Sequence, residues 1–383
     1  MTSMAKASVL VLLAAVGCGS SAGTGGTAGT GGTAGTGGTA GAAGSTGSGG
    51  STGTGGSAGT GGVSGSAGTG VAGAAGTGVW RPFNDQSPWN TPIANGAAVD
   101  ASSTTFISDF STISGQTSFW INIQDYSVPV YWVDASTPSV MVRASLGGTG
   151  FRTGAASDSV AAGTGLAPIP ANAFAAAGSD MHLAIVDRAR AIEWGFWDAI
   201  FTQVGDWSVG EASTMDLAGD GVRPPERNNP WWAGHGPRAC GFSLIAGLIT
   251  VDEIQAGAIE HALVVAYPHI QSRYYTPPAS TAQGTTTDAL PTRGILCGGR
   301  IQLDPALDVT TLGLSPAGVA IARALQKYGA FIGDYSGAVS LYADASDAAR
   351  SAWSGVLAND TAQKIPLNRF RVLAIGTIYD NMN

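Results

Sequence analysis

The chain of 383 residues carries 58 glycines, only 11% charged side chains and a formal charge of −8. With no basic stripe in view, nucleic acid is excluded as an expected partner. A polyanionic substrate is not excluded, because a local arginine cluster works inside an acidic domain.

Lys6 precedes the apolar run 7–15, which is followed by Val16-Gly17-Cys18-Gly19-Ser20. A positive start, a short apolar stretch and small residues at a cut site describe a secretory signal over residues 1–17, too short to span a bilayer. The segment ending at Cys18 resembles the lipobox of bacterial lipoproteins, with Ala15 where such boxes more often carry Leu. The resemblance implies lipid on Cys18, and a protein exported and anchored at the outer membrane or cell surface. An ordinary signal peptide cut nearby, giving a secreted protein, is the alternative.

Residues 19–78 use almost only Gly, Thr, Ala and Ser, with three copies of Gly-Thr-Gly-Gly-Thr-Ala over 23–40 and no charged residue between Lys6 and Arg81. Such a segment offers too little apolar surface to offset its conformational entropy. Residues 18–78 therefore read as a lipidated N-terminus and tether, with a mean reach on the order of 40 Å. Gly19-Ser20-Ser21-Ala22-Gly23 matches the nucleophile pattern Gly-x-Ser-x-Gly but lacks the strand and helix that give it meaning.

Residues 79–383 remain for a single β-rich catalytic or binding domain, expected to be a monomer. Of the three cysteines, lipid on Cys18 leaves Cys240 and Cys297 for one disulfide in an oxidising compartment. Two buried free thiols are the alternative.

An aromatic and proline-rich opening, Val79–Thr91, is expected to dock across the domain. Short β-branched or aromatic runs then fall at 118–123, 128–133, 139–144, 181–187, 191–197, 261–267, 299–303, 330–333, 338–342 and 369–376, separated by turn clusters. Thr250-x-x-Glu253 is a capping box opening a helix toward Ile259. Ser315-Pro316 starts a second helix that runs to Tyr328 and stops at Gly329. A third spans 346–357. This pattern predicts a mainly β fold, a β-sandwich of jelly-roll-like kind with a few decorating helices; an open α+β fold is the alternative.

The hairpin over 180–197 is the main candidate for chemistry. Alternation puts Met181, Leu183 and Ile185 on one face, with Ile192, Trp194 and Phe196. The other face carries Asp180, His182, Glu193 and Trp197 around Gly195. Asp180 and Glu193 supply two carboxyls for acid and base work on a glycosidic bond. His182 would tune them, and Trp197 would stack on a pyranose. The same face equally serves as a solvated sheet surface whose charges pair across strands.

Other candidates are weaker. His261, Arg238 and the pair Trp231-Trp232 are possible substrate-binding residues, each with a structural reading beside it. Asp334, within Gly333-Asp334-Tyr335-Ser336-Gly337, reads as a hairpin-turn residue. Asp216-Leu217-Ala218-Gly219-Asp220-Gly221 partly matches a calcium loop. Ala218 and Arg227 stand where ligands are needed, so a polar turn is the better reading. No metal or other cofactor is expected.

The domain resembles, in style and without a defining motif, the jelly-roll sandwiches of extracellular glycoside hydrolases and polysaccharide lyases. That resemblance implies a polysaccharide substrate, cleaved by a carboxylate pair. The alternatives are a polysaccharide lyase acting by β-elimination on a uronic-acid glycan, with His182 or a tyrosine as base and Arg238 or His261 neutralising the carboxylate, and a non-enzymatic glycan-binding lipoprotein.

Overall fold

The computed structural model describes residues 78–112, 115–149, 159–160, 163–203, 205–225, 236–283 and 294–381. Residues 1–77, which hold the expected lipobox and nearly all of the expected tether, and Trp231 and Trp232 lie outside the described residues. In chain order the elements begin with helix α1 (Ser103–Thr112), β1 (Trp120–Asn122), β2 (Val130–Val133), β3 (Val140–Thr149), β4 (Ser159–Val160) and β5 (Gly163–Ala167). The hairpin strands β6 (Leu183–Asp187) and β7 (Ile192–Trp197) follow, then β8 (Ile200–Gln203) and β9 (Asp206–Asp216). After them come α2 (Val251–Ala256), β10 (Leu263–Ala266), β11 (Tyr274–Tyr275), β12 (Arg300–Leu303) and α3 (Pro316–Lys327). The chain ends with β13 (Ala330–Asp334), β14 (Ser340–Tyr342), α4 (Asp347–Trp353), β15 (Phe370–Val372) and β16 (Tyr379–Asp380).

The fold is mainly β, as expected. Each of the ten apolar runs contains a strand. Six strands form one sheet in the order β1-β14-β10-β13-β12-β15, and a second sheet runs β2-β6-β7-β9-β3-β4, with β5 added on β3 and β8 on β9. Ile121, Val264, Ile332 and Leu341 of the first sheet share a core with Val130, Ala184, Val186 and Met215 of the second, which makes the arrangement a sandwich. Both sheets are mixed: β1 with β14, β10 with β13, β2 with β6 and β3 with β9 pair in parallel. A jelly roll is instead woven from antiparallel strands, and connectivity of this kind leaves no mark on short strand runs.

The helix ends follow their caps. Thr250 donates to Glu253 from both its backbone N–H and its hydroxyl, at 3.0 and 2.7 Å, and α2 stops at Gly257 in the left-handed region. Ser315 Oγ accepts from Gly318 N at 3.2 Å with Pro316 in the first turn. Ser346 Oγ caps α4 by accepting from Ala349 N at 3.3 Å.

The hairpin departs from expectation in one respect. Its pairing, Leu183 opposite Phe196 and Val186 opposite Glu193, preserves the two faces read from the sequence. However, both faces are buried. Leu183, Ile185, Trp194 and Phe196 belong to a second core on the outer side of the larger sheet, with Trp207, Val209 and Ile169. The face of Ala184, Val186 and Glu193 turns to the main core, where a Cβ on Gly195 would meet Pro237 at 2.9 Å. A hairpin buried on both sides presents no open groove.

The Cys240–Cys297 disulfide joins residues with Cα atoms 5.4 Å apart. Around it, Cys240 N donates to Gly333 O and Gly298 N to Ile332 O, at 3.2 and 2.8 Å. The bridge therefore fixes the turn Arg238–Gly241 against the end of β13. Gly298, at φ +80°, has no room for a side chain, since a Cβ would lie 1.7 Å from Thr276 O.

Candidate active site

Strand register assembles a cleft at one end of the smaller sheet. Trp120 lies opposite Ser340 and Asn122 opposite Tyr342, so all four share a face. Strict alternation would turn Asp334 to the other side. A register shift between Val265 and Ala266 instead sets Asp334 opposite Ala266, which is itself opposite Ser340. Bulges re-aim side chains in this way. Asp180 arrives from the turn ahead of β6, held by Asp198 N donating to its carbonyl at 2.9 Å.

The resulting cleft, of about 300 Å³, is lined by Asp180, Tyr342 and Asn122 and rimmed by Trp120, Tyr126 and Tyr335. These three rim aromatics are 42%, 48% and 48% exposed. Met181 (φ +40°) and Tyr126 (φ +54°) hold left-handed backbone at its edge. Strain of this kind, on the order of 1–3 kcal/mol per residue, persists where the surroundings over-determine it and clusters at functional sites.

Arg238 lies beneath the cleft, fully buried. Its Nη1 sits 3.3 Å from Asp334 Oδ2, its Nη2 donates to Leu244 O at 3.0 Å, and its guanidinium lies 4.4 Å over the Tyr342 ring. The Tyr342 hydroxyl donates to the same Asp334 oxygen at 3.4 Å, and Tyr335 N donates to the other at 3.0 Å. Burial pushes the Asp334 carboxyl up to about 6; Arg238 opposes the shift and the Asp180 charge adds to it. Burial also raises Asp180, against the Ser179 hydrogen bond and the Arg238 charge. Two carboxyls in one electrostatic neighbourhood, each held above its ordinary value, are suited to exchanging protons.

The expected constellation of Asp180, His182, Glu193 and Trp197 is not assembled. Only Asp180 reaches the cleft. Glu193 is buried; it accepts from Ser243 Oγ, and from Leu244 N and Ile245 N at 2.8 and 3.3 Å. Burial raises its carboxyl against those bonds and the charge of Arg223. His182 is buried too. Its Nε2 donates to Pro237 O at 2.9 Å, and burial together with Arg238 lowers it to about 3, so the ring stays neutral. Both side chains thus grip the 237–245 segment that carries Arg238. Trp197 packs on Gly210, where a Cβ would come within 2.5 Å of its ring, and it does not line the cleft.

His261 is structural as well. Its Nε2 meets Glu253 Oε1 at 2.7 Å and its Nδ1 faces Ala262 O at 2.9 Å. Burial would lower its pKa, but the Glu253 charge and hydrogen bond leave it raised. Asp216 and Asp220 close turns by accepting from Ala218 N and Val222 N, each at 2.9 Å. Arg238 does join the candidate site. Asp334, Tyr342 and the aromatic rim escaped the sequence reading, because a bulge and three chain-distant segments create them. No family model, no curated protein and no solved structure matches this chain.

Proposed function

We propose that residues 79–383 form a glycoside hydrolase that cleaves a polysaccharide outside the cell, with the lipobox and tether holding it at the surface. The observation that carries this reading is the pair Asp180 and Asp334, both raised, set in and under an aromatic-rimmed cleft. Asp334, protonated below about pH 6, donates to the glycosidic oxygen as the bond to the anomeric carbon breaks. Asp180 is the second carboxylate, which attacks that carbon or takes a proton from the attacking water. Arg238 steadies the Asp334 anion after its proton is given up. The rim aromatics offer flat apolar surfaces to sugar rings.

β-Elimination on a uronic-acid glycan fits less well. Burial and the charge of Asp334 hold the Tyr342 phenol well above its ordinary value, which suits a donor and not a base. Arg238 already serves Asp334 and Leu244 O. A glycan binder without catalysis would share the rim but has no use for an acid tuned toward neutrality.

The test is release of reducing ends across a panel of polysaccharides by the wild type and by Asp334→Asn. The variant should lose about 10²–10⁴-fold in turnover, the range set by removing a general acid. Full activity in the variant, or no cleavage by the wild type, would sink the reading. Products absorbing in the ultraviolet would indicate elimination instead.

A further inference from the structure

A second cavity, of about 400 Å³, lies a few residues further along the chain, just past the end of β14. Ser340 and Tyr342 line the cleft, while Asp344 and Ser346 line this cavity. Alternation keeps residues 340, 342 and 344 on one side of an extended chain. Two extended residues span at most about 7 Å, so Tyr342 and Asp344 hold the two hollows close together. Between them runs a short ladder, in which Ala345 N donates to Val128 O at 3.0 Å.

The cavity holds a rigid indole. The Arg188 guanidinium lies 3.8 Å from the centroid of the Trp132 ring, and Trp80 meets that ring edge-on at 5.3 Å. Trp132 nonetheless remains 41% exposed and lines the cavity. An exposed indole clamped in this way loses little entropy when a ligand stacks on it. Around it stand Thr250, Asn172 and Asp252, which bring hydroxyl, amide and carboxylate groups. Asp252 faces Arg188 at 3.8 Å, and Asp347 pairs with Arg350, so two of the three carboxylates are offset. An apolar platform beside hydrogen-bonding groups without strong net charge matches a neutral pyranose.

Resting on the hydrolase reading, we infer that this cavity is an auxiliary subsite for a neutral sugar unit of the same polymer that occupies the cleft. Cleavage of a long chain draws on it, whereas a disaccharide held in the cleft alone does not.

The test compares KM on soluble neutral glucans, xylans and mannans with KM on a short oligosaccharide of the polymer that is cleaved. Ala348→Trp fills the cavity from an exposed position of α4 and removes no buried contact; Trp132→Ala removes the platform. Each should raise KM on the polymer about 10-fold and change kcat/KM on the short substrate by less than twofold. Unchanged KM on the polymer in Ala348→Trp overturns the subsite while leaving the cleft standing. A wild type that neither binds nor cleaves any glycan overturns the hydrolase reading, and the subsite with it.

Discussion

Glu193 and Asp334 are both buried carboxyls raised by burial, yet their surroundings differ in kind. Glu193 meets three protein donors within the core, and its neighbours leave no approach for a ligand. Asp334 has two backbone donors, Tyr335 N and Ala239 N, together with one distant guanidinium nitrogen and one long phenol contact. It also keeps 12% of its side chain exposed, under a cleft whose other carboxyl raises it further. An acid enclosed on every side by the core holds structure together, whereas one that keeps a path to an opening retains a proton it can transfer.

The sharpest way to break this comparison is to substitute both acids conservatively. Asp334→Asn should lose about 10²–10⁴-fold in turnover with its circular dichroism unchanged. Glu193→Gln should keep kcat within a few-fold and lower the unfolding free energy by about 1–3 kcal/mol, the cost of disturbing a buried hydrogen-bonded group. The reverse pattern, an inactive but fully stable Glu193→Gln, would return the chemistry to the hairpin.

That reversal also marks what the sequence made legible. Alternation identified which hairpin residues share a face, because period 2 is local. Whether that face meets water depends on the segment around Pro237 and Leu244, about 50 residues away, and no local pattern encodes it. Strand β9 leaves no strand signal in the sequence because Gly210, Ala212, Ser213 and Thr214 lack the bulk that marks a strand; their small size suits a centre pressed between β7 and β3. Helix α1, rich in Ser and Thr, was hidden by weak propensity, though Phe106, Ile107 and Phe110 share the helical spacing of a buried face. Asp334 passed for a turn residue because the bulge that redirects it is a property of pairing. The pairing of Cys240 with Cys297, by contrast, is legible from an odd count of three cysteines, once the lipobox resemblance sets Cys18 aside.

The disulfide gives the next largest effect, and it bears on the same two regions. Cys240 lies two residues from Arg238, and its backbone is pinned to Gly333, next to Asp334. Replacing both cysteines with serine should cost about 4 kcal/mol in the chain-entropy model, read by denaturant unfolding. Activity should fall further than that of a distant variant of equal stability, since Arg238 loses its mooring. Equal activity at matched stability would confine the bridge to the fold.

A third contrast lies in pH. The folded Asp334 value of about 6 stands above the unfolded 3.8, so between those values the folded state binds more protons. Stability from this group is therefore complete below pH 3.8 and is lost as pH rises through 6, a change of about 3 kcal/mol. Between pH 4 and pH 7, the wild type should lose about 2 kcal/mol more unfolding free energy than Asp334→Asn, most of that change. Turnover should fall over the same upper limb, because the acid must be protonated to act. Parallel stability profiles would show that Asp334 does not titrate there.

The aromatic rim should give the smallest effect and the most specific one. Trp120 is 42% exposed and stands on an edge strand, so its removal opens no core cavity and should leave stability within about 0.5 kcal/mol. If it supplies a flat surface to a sugar ring, the contact is present in ground state and transition state alike. Such uniform binding lowers KM without entering kcat. Trp120→Ala should then raise KM about 5- to 10-fold, equivalent to about 1 kcal/mol, with kcat unchanged, and Trp120→Phe should recover most of it. A fall in kcat instead would mean that the indole orders the Asp180 side of the cleft, and that the rim and the carboxyl pair act as one unit.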